Sequence, residues 1–277
     1  MSWWQNIPES INPNIIDIGF FQIRYYSLMY VIAFTATYWL VLYRIKKKKY
    51  DFSRETLQKY FLWAILGVMI GGRFGYVLFY NFPYFLEHPL EIISPFHLSN
   101  EGVVYTGISG MSYHGGLIGV VLMTLLFCQK NKIKILKLTD LLSPAFPLGY
   151  TFGRIGNFIN GELYGRATSV PWGMYFPLDQ THQLRHPSQL YEAFFEGIFL
   201  FIILWRLKER KLFDGFLSCL YLIGYGFVRF FIEFVREPDS QLGFIYGPFS
   251  MGQVLCICMI LAGITITVIN KKHITNN

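Results

Sequence analysis

Long apolar stretches constrain this chain more than any other feature. A helix needs roughly 20 mostly apolar residues to cross the hydrocarbon core of a bilayer. Only 15% of the 277 residues are charged, whereas soluble globular proteins carry about 25%. The sequence therefore predicts an all-α polytopic membrane protein, a single integral membrane domain over residues 1–277 with seven transmembrane helices. The predicted spans are 24–43, 56–80, 111–129, 138–160, 188–205, 213–235 and 249–269.

Prolines and glycines interrupt the fourth stretch more than any other. They are Pro144, Pro147, Gly149, Gly153 and Gly156. A broken helix at membrane depth persists only where protein or a wet cavity satisfies its freed backbone groups. Gly153 and Gly156 are also predicted to let another helix backbone approach closely.

Basic residues between the stretches predict the orientation. The loops after the first, third and fifth stretches, with the carboxyl-terminal tail, hold 16 of the 24 basic residues. Cytoplasmic loops are enriched in Lys and Arg, so we expect the amino terminus outside and the carboxyl terminus in the cytoplasm. The outer loops 81–110, 161–187 and 236–248 are then expected to form a small periplasmic cap. The first 16 residues lack a basic segment and contain Pro8 and Pro13, so the first apolar stretch is predicted to be retained.

Seven basic residues fall in outer halves of spans or in outer loops, and all seven are arginine. They are Arg24, Arg73, Arg154, Arg166, Arg185, Arg229 and Arg236. A guanidinium is planar and pairs with phosphate or carboxylate through two hydrogen bonds. The set therefore indicates an anion site near the outer surface. The alternative is snorkelling at the interface, which we favour for Arg24 and Arg185.

Polar residues concentrate in the segment 153–166, which reads GRIGNFINGELYGR. Such groups are costly at membrane depth and are candidates for function. Arg154, Asn157 and Asn160 are three residues apart and share one helix face. Asn160 and the glycine after it are predicted to end the helix, which places Glu162 just beyond. The alternative for this face is a polar packing seam.

The sixth stretch repeats this pattern. Tyr225, Arg229 and Glu233 are four residues apart, and Arg236 is predicted to continue the stripe. Glu233 would neutralise and orient Arg229, which keeps further donors. Arg154 and Arg229, on two helices at the same depth, are predicted to clamp one phosphate.

Two further segments begin predicted helices on the outer side. His114 opens the third stretch, with two glycines after it, and is a candidate base, although a lone histidine is more often structural. The segment 186–192 opens the fifth stretch, with Pro187 predicted at the first helical position. Glu192 in that segment would brace the arginines.

The remaining candidates lie in the first two stretches. Tyr26 belongs to an aromatic belt of the kind that anchors membrane interfaces. Arg73 lies in the glycine-rich segment 71–76, which predicts close helix packing around a buried arginine. Nucleotide-binding, metalloprotease and nucleophile-elbow motifs are absent from the sequence. We expect no metal, no cofactor and no nucleic-acid partner.

These segments resemble the prolipoprotein diacylglyceryl transferase family over nearly the whole chain. The resemblance is carried by residues 25–30, 71–76, 114–119, 153–166, 186–192 and 224–229. It implies a seven-span enzyme of the bacterial inner membrane with its active site toward the periplasm. Such an enzyme transfers the diacylglyceryl group of phosphatidylglycerol to the lipobox cysteine of a prolipoprotein signal peptide, which forms a thioether and releases glycerol phosphate. By motif position, the family's functional residues fall on Tyr26, His114, Arg154, Asn157, Glu162, Gly165, Tyr225, Arg229 and Glu233.

Elementary chemistry agrees with this reaction. A thiol with a pKa of about 8.5 needs only modest activation, for which His114 is the first candidate and Glu162 the rival. The departing phosphate needs its charge stabilised, which we assign to Arg154 and Arg229. Headgroup hydrogen bonds are assigned to Asn157 and Asn160, positioning to Tyr26 and Tyr225, and support to Gly165, Glu192, Glu233 and Arg73.

Two other classes of protein compete with this interpretation. A transporter or flippase for phospholipids or organic anions also uses broken helices and intramembrane arginines. The sequence lacks a duplicated half, and its arginines gather on one side, which argues against transport. A non-catalytic receptor for signal peptides would leave the arginine set without a purpose.

Overall fold

The computed structural model describes most of the chain. The described residues are 2–18, 22–47, 50–94, 96–99, 102–105, 110–210, 212–237, 244–246 and 249–275. Parts of the predicted loops 81–110 and 236–248 therefore lie outside the described residues, as do Lys48, Lys49 and Lys211 of the predicted cytoplasmic loops. The chain forms two compact units, one of Met1–Lys47 with Leu136–Asn277 and the other of Lys48–Ile135.

Helices dominate both units. The α-helices are α1 (Ile7–Ser10), α2 (Tyr25–Lys46), α3 (Arg54–Tyr80), α4 (Phe82–Glu87), α5 (Tyr113–Lys130), α6 (Ile135–Leu142), α7 (Phe146–Ile159), α8 (Ser188–Tyr191), α9 (Leu200–Leu207), α10 (Phe216–Ile232) and α11 (Met251–Thr275). A π-helix, Glu192–Phe199, joins α8 to α9, and 3-10 turns occupy Trp3–Asn6 and Pro89–Ile92. Three antiparallel pairs are made by the strands β1 (Asn14–Asp17), β2 (Gln22–Arg24), β3 (Phe96–Ser99), β4 (Gly102–Tyr105), β5 (Phe244–Tyr246) and β6 (Phe249–Ser250).

Three of these helices are long and apolar enough to cross a membrane. They are Tyr25–Lys46, Arg54–Tyr80 and the part Met251–Asn270 of α11, and α10 is a shorter apolar helix. A mostly helical chain with such helices agrees with the membrane class predicted from composition. Each of the seven predicted stretches contains a helix, with differences in the fourth, fifth and sixth.

The fourth stretch is two helices instead of one. Helix α6 ends at Leu142, and α7 begins at Phe146 with Pro147 in its first turn. The break therefore falls around Pro144, as proline chemistry predicts, whereas the glycines further on lie inside α7. An added Cβ at Gly153 would meet no atom within 4 Å among the described residues, so the predicted close approach there is wrong. At Gly156 it is correct, because a Cβ would lie 3.1 Å from Tyr26 and 3.3 Å from Met29 of α2.

The fifth and sixth stretches differ at their ends. Pro187 precedes the first residue of α8, so the prediction that it occupies the first helical position is wrong by one residue. Helix α10 ends at Ile232, so the prediction that Arg236 continues its stripe is also wrong. Instead, a turn and an isolated bridge to Gly165 position Arg236.

A buried arginine joins the helix ends of the first unit that are predicted to be cytoplasmic. Arg44, at the end of α2, donates to the backbone oxygens of Asp140 and Lys208 at 2.7 and 3.1 Å. The Asp140 carboxylate accepts the backbone N–H groups of Gly215 and Ser218 at 2.8 and 2.9 Å. These bonds satisfy the first N–H groups of α10, which helix geometry leaves unpaired.

Glycines hold the two long helices of the second unit together. A Cβ at Gly119 of α5 would lie 2.1 Å from the backbone oxygen of Gly67 in α3. Gly71 and Gly115 approach each other in the same way, because a Cβ added to either one would lie 2.4 Å from the backbone oxygen of the other. Small residues let helix backbones pack closely where the hydrophobic effect gives little driving force.

Candidate active site

Three arginines converge on one buried carboxylate, Glu192, the first residue of the π-helix. Glu192 is 0% exposed. Its Oε2 atom lies 2.9 Å from Nε of Arg154 and 2.8 Å from Nη1 of Arg229. Its Oε1 atom lies 3.0 Å from Nη1 of Arg236, and the Tyr150 hydroxyl donates to Oε2 at 2.9 Å. The predicted contact between Glu192 and the arginines is therefore present.

A polar chain leads from Arg154 to the end of α7. Arg154 donates through Nη1 to Oδ1 of Asn157 at 3.1 Å, and Asn157 donates to Oε1 of Glu162 at 2.9 Å. Asn160 approaches the same Glu162 oxygen at 3.4 Å. The guanidinium of Arg154 also lies 4.7 Å from the ring centre of Tyr150. The shared face predicted from the three-residue spacing is present.

Arg229 is held by two more glutamates. Its Nη2 atom lies 2.8 Å from Glu233, the residue that follows the end of α10, and its Nη1 atom lies 3.5 Å from Glu196. The Ser250 hydroxyl donates to Glu233 at 2.9 Å. A Cβ at Gly252 would lie 2.6 Å from the Glu233 carboxylate, so a glycine lets the start of α11 approach it.

The segment after α7 packs against the start of α8. The helix ends at Ile159, and Gly161 has a φ of +68°, as predicted from the glycine. The Gly165 N–H donates to the backbone oxygen of His186 at 2.8 Å. A Cβ at Gly165 would lie 2.4 Å from the backbone oxygen of Val235, so the backbone crossing leaves no room for a side chain. Gln189 donates to the Glu162 backbone oxygen at 2.7 Å.

The formal charges of this cluster balance. Three guanidiniums, with side chains 12–14% exposed, face three carboxylates. The carboxylates are Glu192, Glu196 and Glu233. Within the described residues, Nη2 of Arg154 has no protein partner in hydrogen-bonding range. The cluster thus combines fixed guanidiniums with unused donors, a combination suited to holding an anion.

The two predicted positioning tyrosines both lie in the first unit. Tyr26, in the first turn of α2, packs against Gly156, and its hydroxyl lies 2.9 Å from that of Tyr30. The ring of Tyr225 in α10 packs edge-on against that of Tyr150, with 5.8 Å between the ring centres. Tyr26 therefore packs against α7, which carries Arg154, and Tyr225 lies on α10 one turn before Arg229.

Two predicted residues, His114 and Arg73, belong to the second unit. His114 is the second residue of α5, is exposed, and packs edge-on against Tyr113. Arg73 is half-buried instead of buried as predicted, and donates to the Ile92 and Gly110 backbone oxygens at 2.7 and 3.3 Å. Arg73 thus supports the chain on either side of the hairpin β3–β4.

The outer segment contains an ion pair that sequence reasoning missed. Arg185 was expected to snorkel, but its side chain is buried and pairs with Asp179 at 2.8 and 3.0 Å. Burial alone would raise the pKa of Asp179, yet hydrogen bonds from Arg185 and Thr181 outweigh it and hold this pKa below its usual range. Burial lowers the pKa of His186, which lies next to Arg185 in the chain.

Comparison with known proteins identifies the family. A model described as prolipoprotein diacylglyceryl transferase matches residues 13–269. The chain belongs to this family. The phosphatidylglycerol–prolipoprotein diacylglyceryl transferase of Chlorobaculum tepidum is 55% identical over 275 residues, which cover 99% of this chain and 95% of that protein. Proteins of the same name from Campylobacter hominis and Wolinella succinogenes are 43% and 44% identical, over 95% and 92% of this chain and 92% of each relative.

The family assignment confirms the resemblance drawn from the sequence. The matched range contains every candidate residue of this diacylglyceryl transferase, from Tyr26 to Glu233. Other residues of the cluster were not predicted. Tyr150, Gln189 and Ser250 carry no local sequence signal, whereas Glu196 lies one turn after Glu192 inside a predicted span, a signal that was left without a role.

Proposed function

We propose that this chain transfers the diacylglyceryl group of phosphatidylglycerol to the cysteine thiol of a prolipoprotein, the first step of lipoprotein maturation. Membership of the family and the names of the close relatives support this activity. The observation that carries it is the convergence of Arg154, Arg229 and Arg236 on Glu192. Such an arrangement fixes guanidiniums in advance of the charge that they stabilise.

The proposal extends to the setting of the enzyme. The chain would cross the bacterial inner membrane seven times, with its amino terminus outside and its carboxyl terminus in the cytoplasm. The loops 81–110, 161–187 and 236–248 would form a periplasmic cap over one integral membrane domain. The asymmetry of the basic residues supports this orientation, and the lipobox of the signal peptide would reach the site from the periplasm.

In the proposed reaction, the thiolate attacks the glyceryl carbon that carries the phosphate. A carbon–sulfur bond forms, the carbon–oxygen bond breaks, and its electron pair leaves with glycerol phosphate. The leaving group gains negative charge as this bond breaks. Arg154 and Arg229 would stabilise that charge, and Arg236 would assist them from the third side of Glu192.

Neighbouring polar groups would orient the lipid headgroup. Asn157 and Asn160 both point their amides toward Glu162, and we assign them hydrogen bonds to headgroup or ester oxygens. Tyr26 and Tyr225 would position the lipid beside them. Glu233 would hold Arg229 from the side opposite the lipid.

Two residues compete for the thiol proton. His114 is exposed at the start of α5 and suits general base catalysis near neutral pH. Glu162 is tied through Asn157 to Arg154, so removing it would also disturb the arginines. His114 is therefore the cleaner residue to test.

The decisive experiment is a transfer assay. Purified protein, phosphatidylglycerol and a lipobox peptide should yield peptide heavier by one diacylglyceryl group on cysteine, detected by mass spectrometry. The phospholipid or organic-anion transporter class makes a different prediction, in which labelled lipid crosses the bilayer and the peptide stays unmodified. That result would contradict the transferase proposal.

The same assay tests the base. We expect His114→Gln to lower the transfer rate by about 10²- to 10⁴-fold, as for other general bases, and Arg154→Ala to abolish transfer. A His114→Gln variant with full turnover, beside an inactive Arg154→Ala variant, would exclude the histidine base and leave the arginine proposal standing.

A further inference from the structure

Two buried glutamates of the π-helix have contrasting surroundings. Glu192 accepts bonds from three guanidiniums and a hydroxyl, whereas Glu196 lies 3.5 Å from one nitrogen of Arg229. That nitrogen is already 2.8 Å from Glu192. Glu196 is 0% exposed, and its oxygens accept no well-aligned hydrogen bond from the residues that the structure describes, since the nearby Tyr150 hydroxyl donates its proton to Glu192. An ionised carboxylate in this position is poorly stabilised.

An incoming phosphate would upset the balance of charges. The cluster is formally neutral when all three of its glutamates are ionised, so one bound phosphodiester leaves one negative charge in excess. Coulomb interactions are strong in a site that excludes water. A proton is most favourably taken up by the carboxylate with the fewest compensating bonds, which is Glu196.

Charged or titratable groups face Glu196 from neighbouring helices and from its own. They are Tyr150 and Arg154 of α7, Arg229 of α10, Cys256 of α11, and Glu192 of the same π-helix, while Tyr225 and Glu233 act on Arg229. Of the three cluster carboxylates, Glu192 and Glu233 are held by close ion pairs and hydroxyl groups. Protonation therefore costs the fewest ion pairs and hydrogen bonds at Glu196.

We infer that Glu196 takes up one proton when an anionic lipid headgroup binds, so that the phosphate replaces Glu196 as the anionic partner of Arg229. The inference rests on the proposed function, since it requires a phosphate at the guanidiniums. Glu196 is a positioning residue in this scheme. As a carboxylate it holds Arg229 in the empty site, and as a neutral acid it leaves that guanidinium to the lipid.

The test counts protons during lipid binding. Full-length protein in detergent is titrated with dihexanoyl phosphatidylglycerol by calorimetry, in buffers of different ionisation enthalpy, from pH 5 to 9. We expect uptake of about one proton per lipid, and a Kd that rises about tenfold per pH unit where Glu196 is ionised in the empty site. Glu196→Gln should bind lipid with no proton uptake, and its Kd should change less than about twofold across this range.

Glu237→Gln is the matched control, because it makes the same substitution at an exposed carboxylate that pairs with Arg185 outside the cluster and leaves the charge of the cluster unchanged. This variant should still take up the proton. The inference is overturned by wild-type binding without proton uptake, by uptake that persists in Glu196→Gln, or by uptake lost equally in both variants. A folded Glu196→Gln protein that fails to bind lipid also overturns it, since a neutral side chain should bind at least as tightly.

Infrared difference spectra give a measurement that needs no variant. Lipid binding to the wild-type protein should produce the carbonyl stretch of a protonated carboxylic acid, distinguished from the ester carbonyls of the lipid by its shift in D2O, and its absence would overturn the inference. If the protein transfers the diacylglyceryl group without proton uptake, this inference is overturned and the transferase proposal stands. A protein that takes up the proton but forms no adduct contradicts the transferase proposal instead.

Discussion

At the scale of single residues, Arg154 contacts an acid, an amide and an aromatic ring of the cluster at once. Its guanidinium spans from Glu192 to Asn157 and stacks on Tyr150. A lysine has the same charge but a single compact ammonium group. The two side chains therefore differ in reach and direction, and substituting one for the other separates geometry from charge.

We predict that Arg154→Lys lowers the rate of diacylglyceryl transfer by about 10²- to 10³-fold, the cost of losing one preorganised donor. The ammonium group cannot contact Glu192 and Asn157 together, so the phosphate loses an aligned partner. Mass spectrometry of the lipobox peptide measures the rate. Arg24→Lys, at an exposed position just before α2, is the matched control and should keep its rate. Normal transfer by Arg154→Lys would show that charge alone suffices.

Contacts within one helix could be predicted from helical spacing, whereas between segments only the bracing of the arginines by Glu192 was predicted, without its geometry. The pairs Arg154–Asn157 and Arg229–Glu233 follow from helical spacing of three and four residues. Arg236 reaches Glu192 across 44 residues of sequence. Only the packing of α7, α10 and the π-helix around one another brings such residues together, and no periodicity encodes that arrangement.

At the scale of elements, helices were easier to predict than their irregularities. Apolar length located the helices, and proline located the break between α6 and α7. The π-helix resembles any other apolar helix in sequence, because the same residues suit an α-helix. Glycine spacing indicated close packing in both units but did not distinguish Gly153, whose Cβ would meet none of the described residues within 4 Å, from Gly156.

The glycine contact in the second unit gives a prediction at this scale. Gly119→Ala should destabilise the protein by roughly 1–3 kcal/mol, as overpacking does, because its Cβ would lie 2.1 Å from the Gly67 backbone. Gly116→Ala is the control on the same helix, since its Cβ would lie 3.5 Å from the nearest atom. Melting temperatures in detergent measure both variants. Equal melting temperatures would show that α3 and α5 separate easily.

The ion pair of Asp179 with Arg185 predicts a dependence of stability on pH. The folded protein lowers the pKa of Asp179, so the pair contributes stability above the unfolded pKa of about 3.9. That stability is lost as the pH falls through the lower folded value. The melting temperature of the wild type should therefore fall more steeply below about pH 4 than that of Asp179→Asn. Parallel curves for the two proteins would contradict the prediction.

At the scale of the whole molecule, orientation is the property that charge alone predicts. Positive residues gather in alternate loops, and arginines gather at the other ends of the spans. Cytoplasmic enrichment of Lys and Arg is a rule about insertion, so it predicts which side each loop faces. It does not predict how helices contact one another.

We predict that an impermeant maleimide labels Gln180→Cys, but not Lys134→Cys, in vesicles that expose the periplasmic face. Both positions have exposed side chains, and they fall in loops expected on opposite sides. Inverted vesicles should reverse the pattern. Both variants are made in a Cys258→Ser parent, which is the control, because Cys258 is exposed whereas Cys128, Cys219 and Cys256 are buried. Labelling of both positions from one side would refute the proposed orientation.

The π-helix has a consequence for how this chain tolerates insertions and deletions. A π-helix pairs each N–H with the carbonyl five residues back and holds more residues in each turn than an α-helix. Its widened backbone leaves the Ala193 oxygen to accept a bond from Thr151 at 3.2 Å. Deleting one residue between Glu192 and Glu196 would let the segment relax into an ordinary α-helix with a more regular backbone. The same deletion would rotate one glutamate away from the arginines, so here the less regular helix is the functional one.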